Sequence, residues 1–160
     1  DFKTQTVLEA LLAVHPYEEV AYDLIPLKNQ WHQAGYGIVG ELSHEADETT
    51  FLSRLKSIFN VQYIRHTPLL GRPIKKVALC GGSGSFLLKD AIHSGADIYI
   101  TGDFKYHQFF DAEKKLIIAD IGHYESEQFT KELFFELLTK KLPNFALCLS
   151  KVNTNPIKYF

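Results

Sequence analysis

Three stretches of the chain hold side chains whose types and spacing suit chemistry. In Gly122-His123-Tyr124-Glu125-Ser126-Glu127, His123 and Glu127 stand four apart. On a helix that spacing stacks an imidazole and a carboxylate on one face, close enough to share one metal ion. The same pair also describes a solvated helix start, where a carboxylate is favoured by the dipole. Two ligands do not complete a catalytic zinc site, which usually takes three from the protein plus a water. The second stretch, Thr101-Gly102-Asp103-Phe104-Lys105-Tyr106-His107, offers a carboxylate and an imidazole. The third, Gly81-Gly82-Ser83-Gly84-Ser85, fits either an anion cradle of backbone N–H groups or a tight turn with close strand–helix packing. It lacks the lysine of a P-loop, and Leu87 falls where a third dinucleotide-loop glycine would stand.

Each stretch follows a short apolar run, and those runs must position it. Val77–Cys80, Asp97–Thr101 and Leu116–Ile121 read as strands, and Phe145–Leu149 reads as a fourth. Helices are expected over Phe86–His93, Phe104–Lys114 and Ser126–Lys141, the last with Phe129, Leu133, Phe134, Leu137 and Leu138 on its apolar face. Continuous apolar strands alternating with helices predict an α/β fold, a mostly parallel sheet with helices on both faces. Ligands of such sheets bind where strands end and helices begin, so Ser83, Asp103, His107, His123 and Glu127 are expected on one rim. Upstream, Thr4–Val14 carries a helical stripe that His15-Pro16 ends, and Glu19–Leu27 reads as a strand. Lys28–Ala34 is a polar connection, and Tyr36–Leu42 a short strand. Phe51–Phe59 is amphipathic, with Asp47 or Thr49 as its cap, and Val61–His66 is a strand.

Other matches carry less. Gly35-Tyr36-Gly37-Ile38-Val39-Gly40 is a literal G-x-G-x-x-G, but no strand precedes it and no helix opens at its last glycine, so a twisted or bulged strand is expected. His15-Pro16-Tyr17-Glu18-Glu19 reads as a rigid turn with solvated carboxylates. His32, His44, His66 and His93 receive no role, and Trp31 alone makes no stacking platform. With 17 Lys+Arg against 19 Asp+Glu and no basic stretch, non-specific nucleic-acid binding is not expected. No apolar run reaches the roughly 18 residues that cross a bilayer. Asp1-Phe2-Lys3 leads straight into the first amphipathic segment, so no secretory leader is expected. Cys80 and Cys148 lie far apart in apolar runs and are expected to be reduced core thiols of a cytoplasmic protein. A chain of 160 residues without methionine, opening within a helical pattern, predicts a piece of something longer.

The runs HPYEEVAYDLIPL (15–27), GYGIVGEL (35–42), VALCGGSGSFL (77–87), GADIYITGDFKYH (95–107) and IADIGHYESE (118–127) strongly resemble the Nif-three-like dinuclear metal-centre family, also called GTP cyclohydrolase 1 type 2 homologs. The resemblance spans essentially the whole chain, in order. It implies that His123 and Glu127 are ligands of a centre of two divalent ions, zinc or iron, and that Asp103 and His107 line the cleft or touch substrate. It implies that residues 1–34 are the end of an inserted CutA/PII-like, ferredoxin-like domain and residues 35–160 the C-terminal half of the metal-binding core. The family's remaining ligands, a histidine pair and an aspartate, have no counterpart here. In His66-Thr67-Pro68-Leu69-Leu70, leucine stands where the acid would be needed. The chain is thus expected to supply half of the dinuclear site and to be inactive by itself.

The function implied is that of a metal-dependent hydrolase acting on a small, nucleotide-like substrate. His123 and Glu127 would hold metal, and Asp103 or His107 would orient a ligand or transfer a proton. The alternative is a non-catalytic metal-binding or scaffold protein. For intact members the resemblance implies a ring-shaped homohexamer, with no nucleic acid and no membrane as partner.

Overall fold

The computed structural model describes residues 3–26 and 35–159. The chain divides into two compact units, residues 1–34 and 35–160. In the first, Thr4–Val14 is helix α1. It stops at His15, whose extended backbone (φ −75°, ψ 136°) suits a residue before proline, while its N–H still reaches the Leu11 carbonyl at 3.1 Å. The His15 ring accepts the Tyr17 N–H at 3.2 Å, which closes the turn. The strand expected over Glu19–Leu27 does not form: residues 20–26 enter no ladder, because the described part of this unit offers no second extended segment to pair with. Leu27 and the predicted connection Lys28–Ala34, with Trp31 and His32, lie outside the described residues.

The second unit runs β1 (Ile38–Ala46), α2 (Glu48–Phe59), β2 (Arg65–His66), β3 (Ile74–Ser83), a short 3₁₀ turn into α3 (Leu88–His93), β4 (Ile98–Gly102), a 3₁₀ stretch (Tyr106–Ala112), β5 (Ile117–Asp120), α4 (His123–Glu127) and α5 (Thr130–Lys141). One sheet forms in the order β1-β3-β4-β5-β2. Its centre, β3-β4-β5, is parallel, and the two edge strands are antiparallel. This is the mixed α/β architecture predicted from the apolar runs.

Alternation along the strands divides the core. Ile98, Ile100, Ile117 and Ala119 pack with Phe51 and Leu55 of α2, while Ala78, Cys80, Tyr99 and Ile118 pack with Leu88 and Ala91 of α3. Ile98, Ile118 and Ala119 are 0% exposed, and each large aliphatic buried this way stabilises the unit by about 1.5–3 kcal/mol. The three parallel strands therefore end on one rim, held from both sides.

Several elements differ from the sequence reading. Val61–His66 shrinks to the two residues of β2, because the left-handed Asn60 closes α2 and Val61 is spent on that cap, its N–H bonding the Lys56 carbonyl. Gly81, Gly82 and Ser83 belong to β3 and not to a loop, with Ser83 back in register opposite Gly102. Phe104–Lys114 is not an α-helix. Residues 106–112 wind as 3₁₀, and Glu113 and Lys114 stop them with φ of 46° and 58°. Ser126–Lys141 is two helices, since the Gln128 amide donates to the Glu125 and Phe59 carbonyls and interrupts the backbone ladder. Phe145–Leu149 forms no strand. No ladder partner meets it among the described residues, so Phe145 and Leu149 stay exposed and Cys148 is an exposed thiol, whereas Cys80 is buried. The G-x-G-x-x-G run leads into β1, where Gly40 pairs with Val77 and the register is irregular between Glu41 and Ala46. It is strand, with no helix at its last glycine.

Candidate metal centre

The site is built at the C-terminal ends of β3, β4 and β5. Gly102 ends β4 against the turn after β5, and a Cβ on it would lie 2.8 Å from both the Gly122 carbonyl carbon and the His123 nitrogen. Only a bare backbone lets these two strand ends approach so closely. The chain then presents Asp103 from the first end (φ 59°) and His123, the first residue of α4, from the second.

Asp103 and His123 meet directly, Oδ2 to Nδ1, at 2.6 Å. On the other side of the ring, His123 Nε2 is 3.2 Å from Glu127 Oε2. One imidazole thus stands between two carboxylates, and all three side chains are about half exposed. The Asp103 hydrogen bond raises the His123 pKa above its ordinary 6.5, with the charges of Asp103 and Glu127 adding to it and partial desolvation opposing. Beneath the pair, the Gly82 N–H donates to Ser126 Oγ at 2.7 Å. Beside it opens a cleft of about 650 Å³ that His123 and Glu127 line together with Tyr124, Lys131, Phe134 and Ile157.

The expected set is only partly assembled. Asp103, His123 and Glu127 come together. Ser83 is exposed and makes no side-chain hydrogen bond among the described residues. His107 is exposed on the 3₁₀ stretch, its ring 5.1 Å from that of Tyr106, and it shares no hydrogen bond or ion pair with the other three among the described residues. Of the five glycine–serine residues, Gly82 touches the site through its N–H, while Ser85 Oγ accepts from Gln108. Sequence reasoning missed Ser126. Its offset of three from His123 puts it on the same helical face, and that was the available signal.

The spacing of His123 Nε2 and Glu127 Oε2 is that of two ligands of a divalent ion such as zinc. Ligands each about 2.1 Å from a tetrahedral ion lie about 3.4 Å apart, close to the Nε2–Oε2 separation of 3.2 Å. A carboxylate on the remote ring nitrogen fixes the tautomer that leaves Nε2 free to coordinate. Among the described residues, no group of three or more His, Cys, Asp and Glu side chains could hold an ion.

The family model of Duf34/NIF3 (NGG1p interacting factor 3) matches residues 3–156. The chain belongs to the Duf34/NIF3 family. Curated relatives named GTP cyclohydrolase 1 type 2 homolog agree. That of Staphylococcus epidermidis is 37% identical over 99% of this chain and 44% of its own length, and that of Bacillus subtilis 34% identical over 97% and 43%. The chain therefore spans less than half the length of these relatives. Among solved structures, a Bacillus cereus protein related to NIF3 superposes with a TM-score of 0.73 at 34% identity, over 98% of this chain and 44% of that one. Staphylococcus aureus protein SA1388 gives 0.76 at 28% identity, over 99% and 53%. No helix among the described residues of this Duf34/NIF3 chain is long and apolar enough to cross a membrane.

Proposed function

We propose that this chain supplies His123 and Glu127 to the dinuclear metal centre of a cytoplasmic, metal-dependent hydrolase of small nucleotide-like molecules. The observation that carries the reading is the Asp103–His123–Glu127 line, a carboxylate-oriented imidazole facing a second carboxylate at ligand spacing. It sits at a shared strand-end rim beside a substrate-sized cleft. Bound ions would supply Lewis acidity and a water acidified toward neutral pH. Asp103 accepts the Nδ1 proton and keeps Nε2 aimed at the ion. His107, exposed on the segment that leaves the same strand end, is assigned proton transfer to the leaving group. The two unpaired cysteines suit a reducing compartment. The name of the relatives makes GTP the first substrate to try.

The test uses the full chain for metal and the intact parent protein for turnover. Zinc titration should show binding that the double variant His123→Ala, Glu127→Ala loses. Unchanged zinc binding in that variant rejects the ligand assignment. In the parent protein, His107→Gln should lower kcat by roughly 10²-fold with metal content unaltered.

The exposed apolar face of α5 favours the second reading, a ring-shaped scaffold whose metal is structural. That reading wins if the intact protein turns over no nucleotide with any divalent ion yet sediments as a stable hexamer.

A further inference from the structure

Ser126 joins the helix of the His123–Glu127 pair to Gly82 at the end of β3. Ser126 Oγ accepts the Gly82 N–H at 2.7 Å and donates to the His123 carbonyl at 2.7 Å. A hydroxyl has one hydrogen to give and lone pairs to receive, so it makes both bonds at once. The first spans 44 residues of sequence, from α4 to the end of β3. The second returns to the residue that carries the imidazole. Gly82 has φ of 63°, and a Cβ on it would stand 2.5 Å from Glu127 Oε1 and 3.3 Å from His123 Cε1. The Glu127 carboxylate thus rests against main chain, in space that any other residue would fill. Helix α4 has five residues, and its cap, Gly122, brings no side chain to hold it. So short a helix does not keep its shape unaided.

We infer that Ser126, acting with Gly82, is a positioning residue of the metal pair. It pins α4 to the end of β3 so that His123 Nε2 and Glu127 Oε2 keep their 3.2 Å spacing. This rests on the metal reading of that pair. Neither residue supplies a donor atom to the ion.

The test is titration of the full chain with zinc alone, in competition with a chromogenic chelator, alongside the thermal midpoint of each variant. Ser126→Ala should weaken zinc binding by about 10-fold or more, as loss of an outer partner of a ligand does. Ser126→Thr, which keeps the hydroxyl, should stay within about threefold of the parent. Thr139→Ala removes a hydroxyl–carbonyl bond of the same 2.7 Å length from α5. It should leave zinc affinity unchanged, whatever it does to the midpoint. An affinity of Ser126→Ala equal to the parent overturns the inference, and so does a Ser126→Thr as weak as the alanine variant. Should Ser126→Ala not fold, Gly82→Ala carries the test. It keeps the N–H but crowds Glu127, and parent-like zinc affinity in it is equally fatal. His123→Ala with Glu127→Ala is run in the same assay. If that pair variant binds zinc normally, the metal reading falls. If it loses zinc while Ser126→Ala keeps it, only the positioning role falls.

Discussion

His123 holds a raised pKa because it is flanked by carboxylates on both ring nitrogens, Asp103 first. The sign of the consequence follows from linkage. A histidine whose folded pKa lies above its unfolded value adds stability that is fully present below about pH 6.5 and fades as pH rises through the folded value. Asp103→Asn should therefore cost the metal-free chain more at pH 5.5 than at pH 8, by less than about 1 kcal/mol because the pair is half exposed. Urea denaturation of both proteins at the two pH values checks this, and a gap that widens toward alkaline pH contradicts it. In the same variant the His123 ring should titrate closer to 6.5, read by NMR. At this scale the sequence announced the His123–Glu127 pair through its spacing of four. Asp103 lies 20 residues away, and only the pairing of β4 with β5 brings it to the ring.

At the scale of elements, buried charges fasten the strand connections. Asp120, at the end of β5, is 4% exposed and takes the Arg65 guanidinium, the Phe104 N–H and the Gly122 N–H. It thereby ties β2 to both turns that frame the site. Arg65→Ala should destabilise by about 2 kcal/mol, less than the 3–5 kcal/mol for a fully buried pair because the arginine side chain is 60% exposed. Guanidinium denaturation measures it, and a loss below about 0.5 kcal/mol would show the pair to be ornamental. Glu48 does a similar task, its carboxylate receiving the N–H groups of Leu70 and Gly71 at 2.7 and 3.1 Å. Periodicity located β1, β3, β4, β5 and α2 because burial on a pleated face and on a helical face leaves different repeats. It did not resolve 3₁₀ from α in residues 106–112, where only Ala112 is buried while Tyr106 and Phe110 are exposed, so no helical face repeats, and the left-handed Glu113 and Lys114 leave no pattern. The split between α4 and α5 was hidden for a similar reason, for it comes from one glutamine amide and not from a glycine or proline.

For the molecule as a whole, the apolar stripe of α5 was legible but its burial was not. Phe129, Leu133, Phe134, Leu137 and Leu138 are between 40% and 58% exposed. A stripe reports that a face is built to be covered and says nothing about what covers it. A face this broad should bind a hydrophobic dye and promote self-association. Leu133→Glu with Leu137→Glu should lower dye fluorescence several-fold and shift sedimentation toward monomer, with the sheet's circular dichroism retained. Unchanged sedimentation together with unchanged dye binding contradicts this.

The open side of β1 bears on how this protein behaves at high concentration. Among the described residues, no strand pairs with the outer row of N–H and C=O groups of the nine-residue β1, next to the exposed Ile38 and Val39. Such a row is a template on which a second chain can nucleate a fibre. Glu41, His44 and Glu45 lie along it, and the register slips between Glu41 and Ala46. Charge and irregularity together make the row a poor match for its own copy, so the residues that guard this chain against amyloid-like stacking are other than Asp103, His123 and Glu127.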